Sequence, residues 1–395
     1  MSKKIKTLLL YIAEKFFFVL FFPFYFIIKK RGEEKNQPTF LLSRLDHLGD
    51  VLMTTPAIKA IKQQYPDSKI YILLNEAYAA TIALNPLVDG MYFYSWPWRS
   101  RKSKTGSLIL HFKNYCKIYR QVRKLNADVF IEFRGDIRMF FLFGFLTGIP
   151  KRISSLRTGG ASFLTSSVMY NKEQHELERV LAILASINIP VIQKRPEIYF
   201  SSEDAFVAAQ IVNKHIKAED AGYAIITPFS GKSVKEWIPE NWAKLADHLF
   251  EKYQLRSFLA GIKNDKRTAT QIAGLSNGSI MDITGDTTIS QLAALMSTSK
   301  IVIGVDSGSL HLASCFDIPL IALFGPTHQN EFRPYSPFAT IIDLNICVCD
   351  KDKHDTCRKT QNGIAFCLNK ITCTHLFDVL DTIATNNGHF AADNT

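Results

Sequence analysis

Three short clusters in this chain hold side chains of the right type and spacing to act on a phosphate or a hydroxyl. The first is Asp306-Ser307-Gly308-Ser309, with His311 close behind, set between the apolar runs 301–303 and 320–324. Short apolar runs bounded by Gly304 and by Gly325-Pro326 read as parallel strands buried on both faces. A chain that leaves such a strand for a helix presents free N–H groups and about half a positive charge, which suits an anion. The second cluster is Lys232 and Lys235 around the Ser230-Gly231 turn in PFSGKSVKEW. Each lysine is either a point charge within reach of a phosphate or a solvated surface group. The third is Gly49-Asp50 in SRLDHLGD, at the turn before a helix, where Asp50 is either a helix cap or a residue of the site. Neither lysine sits in a Walker sequence and no G-x-G-x-x-G fingerprint occurs, which disfavours a P-loop and a dinucleotide cofactor.

The elements that must position these clusters are legible around them. TFLL at 39–42 reads as a strand, followed by SRLDHLGD, a helical pattern and a second strand, KIYILL, at 69–74. That is a strand–turn–helix–strand unit, the start of a parallel α/β domain. ADVFIEF at 127–133 is another buried strand, ending at Arg134-Gly135-Asp136. The very apolar stretch 140–146 is either a buried helix or a membrane-touching surface. Residues 171–187 read as a helix with Glu173, His175, Glu176 and Glu178 on polar positions. Beyond Pro190 and Pro196 the pattern restarts, with strands at 223–227 and 257–260 and helices running to 250, around Ala269 and at 290–296. A terminal helix is expected at 371–385. The expected organisation is residues 39–200 as one domain, 201–375 as a second, and 386–395 as a flexible tail.

The chain has 395 residues and a formal charge of +11, with 47% hydrophobic and 21% charged residues, enough for two cores. The positive charge concentrates between 99 and 157, where Asp128, Glu132 and Asp136 are the only acids. Such a bias is either a solvated face or a surface for an anionic partner, and a membrane or acidic glycolipid fits better than nucleic acid, since no nucleic-acid motif is present. At the N-terminus, Lys3, Lys4 and Lys6 precede an apolar stretch rich in Phe, and Lys29-Lys30-Arg31 follow it. The uninterrupted part, 16–28, is short of the roughly 20 residues that a spanning helix needs. Residues 1–31 are therefore expected to form an apolar helix lying at a membrane surface rather than crossing it. The seven cysteines, crowded toward the C-terminus, match neither a secreted disulfide framework nor paired zinc spacing.

Four stretches taken together carry a resemblance: SRLDHLGDVLMTTPAI, PFSGKSVKEWIPENWAKLADHL, DITGDTTISQLAAL and VIGVDSGSLHLASCFDIPLIALFGPT. In this order and spacing the chain resembles glycosyltransferase family 9, the ADP-heptose:lipopolysaccharide heptosyltransferases, from about Thr39 to the terminal helix. The resemblance implies an α/β fold of GT-B type, two Rossmann-like parallel-sheet domains facing a central cleft, with the acceptor on the N-terminal domain and the nucleotide-sugar donor on the C-terminal one. It implies an inverting, metal-independent transfer of a heptose or related sugar to a lipopolysaccharide core, without a cofactor. Asp50 would be the general base and Lys235 would neutralise the departing diphosphate. Ser230, Gly231, Asp306, Ser307, Gly308 and His311 would contact the donor, and Arg44 and Arg134 the anionic acceptor. The chain would work at the cytoplasmic face of the inner membrane. It departs from the family pattern at Gly261-Ile262-Lys263-Asn264-Asp265, where members often carry an acid soon after the glycine to hold the nucleoside. Another nucleotide-sugar, or a non-catalytic sugar-binding role on the same fold, are the competing readings.

Overall fold

A computed structural model describes residues 36–95, 106–346, 357, 360–361 and 363–387. The chain divides into two compact units between Lys194 and Arg195. The apolar N-terminal segment expected at 1–31 lies outside the described residues. Among those described, no helix is long and apolar enough to cross a membrane.

The first unit is built on strands β1 (Thr39–Arg44), β2 (Lys69–Leu74), β3 (Gly90–Phe93), β4 (Val129–Glu132), β5 (Lys151–Ser155) and β6 (Ser166–Val168). They pair in the order β3-β2-β1-β4-β5-β6, and every pairing is parallel. Both faces of β1 are buried: Phe40 and Leu42 pack on one core and Leu41 on the other. That is why the strand reads as an unbroken apolar run rather than an alternating one. Helices α1 (Leu48–Leu52), α2 (Thr55–Gln64), α3 (Gly106–Leu125) and α4 (Glu176–Ala185) belong to this unit. The stretch Phe140–Phe145 is a π-helix with Phe140, Phe143 and Phe145 buried, so its apolarity serves the core.

The second unit repeats the plan with β7 (Gly222–Thr227), β8 (Leu255–Leu259), β9 (Ile280–Asp282), β10 (Ile301–Val305), β11 (Leu320–Leu323) and β12 (Ala339–Ile342). The order is β12-β11-β10-β7-β8-β9, again all parallel. Its helices include α5 (Ser202–His215), α6 (Pro239–Tyr253), α7 (Lys266–Leu275), α8 (Ile289–Ser297), α9 (Gly308–Ala313) and α10 (Cys373–Asn387). The last continues two residues into the stretch expected as a tail. The core under this sheet gathers Trp242, Leu245, Leu249, Leu259, Ile303 and Leu376 at no more than 1% exposure. Each such side chain contributes about 1.5–3 kcal/mol by leaving water.

Both sheets have the doubly wound strand order, in which the direction of winding reverses once. In such sheets ligands bind outside the carboxyl ends of the strands, at the reversal. Here that point falls between β1 and β4 in the first unit and between β7 and β10 in the second. Gly304 faces Thr227 across the second of these points, and a Cβ at that position would come within 2.6 Å of the Thr227 carbonyl oxygen. Only glycine permits that approach.

Candidate active site

At the reversal point of the first sheet, the carboxyl end of β1 delivers Arg44, which is 2% exposed. Its Nη1 donates to the carbonyl oxygen of Phe133 at 3.0 Å, just beyond β4. Its Nη2 donates both to Asp50 Oδ1 at 2.9 Å and to Glu176 Oε1 at 2.6 Å. Its Nε lies 3.1 Å from Asp46 Oδ2. A guanidinium surrounded by carboxylates in this way is a fixed cation. Burial alone would lower its pKa, but Glu176 and Asp50 more than reverse that, and the net shift is upward.

Asp50 sits in the first turn of α1, with its side chain 18% exposed. Besides the Arg44 contact, its Oδ2 accepts from the backbone N–H of His47 at 3.0 Å. Each carboxylate oxygen has two lone pairs, so this capping role leaves acceptor capacity for a hydroxyl. The two readings open at the sequence level, cap and base, are therefore compatible in one residue.

Arg134 reaches the same cluster through an ion pair with buried Asp46, while its own side chain stays 32% exposed. Burial, and then the neighbouring Arg157 and Arg44, lower its pKa to about 10. Glu132, the last residue of β4, lies beneath it and is 1% exposed. Its Oε1 accepts from the N–H of Arg134, and its Oε2 accepts from the N–H groups of Gly135 and Asp136 and from the Ser154 hydroxyl. Burial outweighs these bonds and pushes its carboxyl up to about 7.

In the second unit, Lys235 Nζ donates to Asp306 Oδ2 at 2.6 Å, with side chains 16% and 9% exposed. Lys235 ends a short 3-10 turn, Ser233–Lys235, and Asp306 follows β10 directly. The adjacent Ser230 N–H donates to Glu236 Oε1 at 3.0 Å, and burial raises the Glu236 pKa. Gly231 borders open space, with nothing within 4 Å of where a Cβ would stand. Ser307 caps α9, Gly308 begins it, and His311 lies inside it at 7% exposure.

The hydroxyls of Thr227, Ser307 and Thr327 are buried without a hydrogen-bond partner. They follow or end β7, β10 and β11, three neighbouring strands of the second sheet. A buried unsatisfied hydroxyl costs about 1–3 kcal/mol. Three at the carboxyl ends of adjacent strands mark a place where a polar ligand would supply what the protein does not.

The structure thus joins Arg44, Asp50 and Arg134 into one network and pairs Lys235 with Asp306. The Ser230 N–H is held by Glu236, the residue after Lys235. Glu176 and His175, expected on polar positions of a helix, are 3% and 6% exposed. Glu176 is drawn inward by Arg44 and Arg179, and His175 Nδ1 accepts from the Leu177 N–H. Asp46, Glu132 and Glu176 were missed as members of the cluster. The available signal was an acid ending an apolar strand in VFIE and a second acid beside Arg44 in SRLDHLGD.

Among the described residues, no group of His, Cys, Asp or Glu is arranged to hold a metal ion. The Asp350-Lys351-Asp352 segment lies outside them, as do Cys347 and Cys349.

Glycosyltransferase family 9 (heptosyltransferase) matches residues 115–362, more than half of the chain. Lipopolysaccharide heptosyltransferase 3 of Escherichia coli K12 is 27% identical over 298 residues, covering 73% of this chain and 83% of that protein. The fold is that of a family 9 glycosyltransferase from Veillonella parvula, with a TM-score of 0.73 at 19% identity over 89% of this chain and all of the other. It is also that of the E. coli ADP-heptose lipopolysaccharide heptosyltransferase II, with a TM-score of 0.70 at 18% identity over 89% and 99% of the two chains. With its paired Rossmann-like sheets of GT-B type and this match, the chain belongs to glycosyltransferase family 9 and is a glycosyltransferase.

Proposed function

We propose that the enzyme transfers a heptose from ADP-heptose to a lipopolysaccharide core acceptor, with inversion at the anomeric carbon and without a metal ion. The observation that carries the donor half is the Lys235–Asp306 pair beside unpartnered Thr227 and Ser307 hydroxyls. A lysine there can neutralise a diphosphate as it leaves, and Asp306 can accept from sugar hydroxyls. Ser230, Gly231, Ser307, Gly308 and His311 are assigned to the donor by family resemblance. For the acceptor half, Asp50 takes the proton of the attacking hydroxyl, and Arg44 and Arg134 present positive charge to an anionic lipid core.

In the transfer, the acceptor oxygen forms a bond to the anomeric carbon as the bond from that carbon to the diphosphate oxygen breaks. The electron pair leaves with the diphosphate and the hydroxyl proton ends on Asp50. Such a step needs a base and charge stabilisation of the leaving group, and each is worth several kcal/mol of barrier. The working site is the cytoplasmic face of the inner membrane, where residues 1–31 would add a surface anchor. Family membership favours this reading over a non-catalytic sugar-binding module.

The test is to incubate purified protein with a panel of nucleotide-sugars and heptose-deficient core lipid, with and without a chelator. Chelator-insensitive transfer from ADP-heptose is expected. Transfer from a different donor only, or loss of activity restored by a divalent ion, would overturn the assignment.

A further inference from the structure

The chain passes from β1 to α1 through Leu45, Asp46 and the capping residue His47. An acid in so short a connection is ordinarily left in water, yet Asp46 is 3% exposed. The transfer gives it no step, since it neither receives the hydroxyl proton nor meets the leaving diphosphate. Burying a carboxylate is costly unless a cation compensates it, so what Asp46 faces defines its use.

It faces two arginines from neighbouring strands. Asp46 Oδ2 lies 3.1 Å from Nε of Arg44, the last residue of β1. Its Oδ1 forms an ion pair with Nη1 of Arg134, two residues beyond β4. Asp46 thereby spans the reversal point of the first sheet. Arg44 is placed without it, by Phe133, Asp50 and Glu176. In formal charge, Arg44 and Arg179 are matched by Asp50 and Glu176. Glu132 is served by backbone N–H groups and the Ser154 hydroxyl. Asp46 is then the countercharge of Arg134.

Arg134 needs one. Burial, then Arg157 and Arg44, oppose its charge, and despite Asp136 the net shift of its pKa is downward. Glu132 Oε1 fixes the Arg134 backbone through its N–H at 3.1 Å, whereas Asp46 fixes the side chain. A guanidinium has five N–H donors, so an ion pair with one carboxylate oxygen leaves donors for a second anion. The Arg134 side chain stays 32% exposed, open to meet it.

We propose that Asp46 is a positioning residue for the acceptor, acting through Arg134. It holds the guanidinium in place against the push of the surrounding arginines, so that the remaining donors meet an anionic group of the acceptor. Without Asp46 the side chain turns into water and must be ordered again on binding, which weakens affinity. The inference rests on the proposed contact of Arg134 with the acceptor, and it deepens that reading.

The experiment measures binding rather than turnover. Calorimetry gives the affinities for ADP-heptose and for heptose-deficient core lipid in wild type, Asp46→Asn, Arg134→Gln and the double variant. Asp46→Asn should fold, because the group it leaves without a countercharge can reach solvent; circular dichroism checks this. Each single variant should lose about tenfold in acceptor affinity, the scale of one hydrogen bond to a charged group. The double variant should lie within about twofold of Arg134→Gln, and donor affinity should stay within about twofold throughout. A residue that merely stabilised the unit would instead weaken both ligands. Unchanged acceptor affinity in Asp46→Asn, or losses that multiply in the double variant, overturns the proposal. If Arg134→Gln is itself silent, the acceptor contact of Arg134 falls, and this inference with it. One readout needs neither acceptor nor variant of Asp46: magnetic resonance of the side-chain nitrogens in the ligand-free wild type, with Arg134 assigned by its loss in Arg134→Gln. Hindered rotation of the Arg134 guanidinium is expected, and rotation as free as that of an exposed arginine overturns the proposal even where the core lipid proves to be the wrong acceptor.

Discussion

The ammonium of Lys235 is 2.6 Å from the Asp306 carboxylate, and 71 residues of chain separate them. The pair joins the turn after β7 to the end of β10, across the reversal point of the second sheet. Without donor, the lysine is held by the aspartate; a diphosphate arriving there would draw on the same charge. Lys235→Ala should lower kcat by about 10²–10³, the cost of removing one donor to a developing negative charge. Lys235→Arg should recover part of it. Steady-state kinetics with saturating donor checks this, and a variant changed only in KM would assign the lysine to ground-state binding.

Glu176 receives the buried cation Arg44 on one oxygen and Arg179 on the other. Glu176→Gln leaves both guanidiniums short of a countercharge in a dry setting, and removing one partner of a buried pair costs about 3–5 kcal/mol. Denaturant titration should register a loss of that order. A change under about 1 kcal/mol, the range of exposed pairs, would mean that the network is solvated. Because Arg44 Nη2 also holds Asp50, the surviving folded variant should turn over more slowly at unchanged donor affinity.

Glu132 links pH to stability in a direction opposite to most carboxylates. Its folded-state value, about 7, lies above the ordinary glutamate value of 4.5, because burial favours the neutral acid. Between those values the folded chain binds more protons than the unfolded one, so stability falls as pH rises through this window and is lowest above it. The full effect is on the order of 3 kcal/mol at 1.36 kcal/mol per unit. Glu132→Gln should flatten that slope between pH 5 and 7, while lowering stability overall, since the amide cannot accept at every N–H that the carboxylate serves. A wild-type slope retained in the variant would locate the titration elsewhere.

What could be read in advance follows from what the chain buries. Strands covered on both faces, such as β1 and β10, announce themselves as short apolar runs, and the residues just after them mark the ligand end of each sheet. Edge strands do not: β6, Ser166–Val168, is polar and partly exposed and has no such run. The apolar stretch 140–146 left core and membrane open because composition cannot tell one apolar surrounding from another. The polar network was least legible. Arg44 and Glu176 are 132 residues apart, and a buried glutamate on an amphipathic helix looks like a solvated one until the arginine beneath it is placed. Lys235 and Asp306 were singled out separately, but their mutual contact follows only from the strand order.

Asp50 is the residue proposed to take the proton of the acceptor hydroxyl. Its most direct test is transfer of heptose from ADP-heptose by Asp50→Asn, with donor binding measured in parallel by calorimetry. Asparagine keeps one acceptor oxygen, enough for either Arg44 or the His47 N–H, but cannot take a proton. The expected result is a loss of about 10²–10⁴ in kcat, donor affinity within about twofold of wild type, and an inverted anomeric product from the wild type. Turnover by Asp50→Asn at the wild-type rate would contradict it.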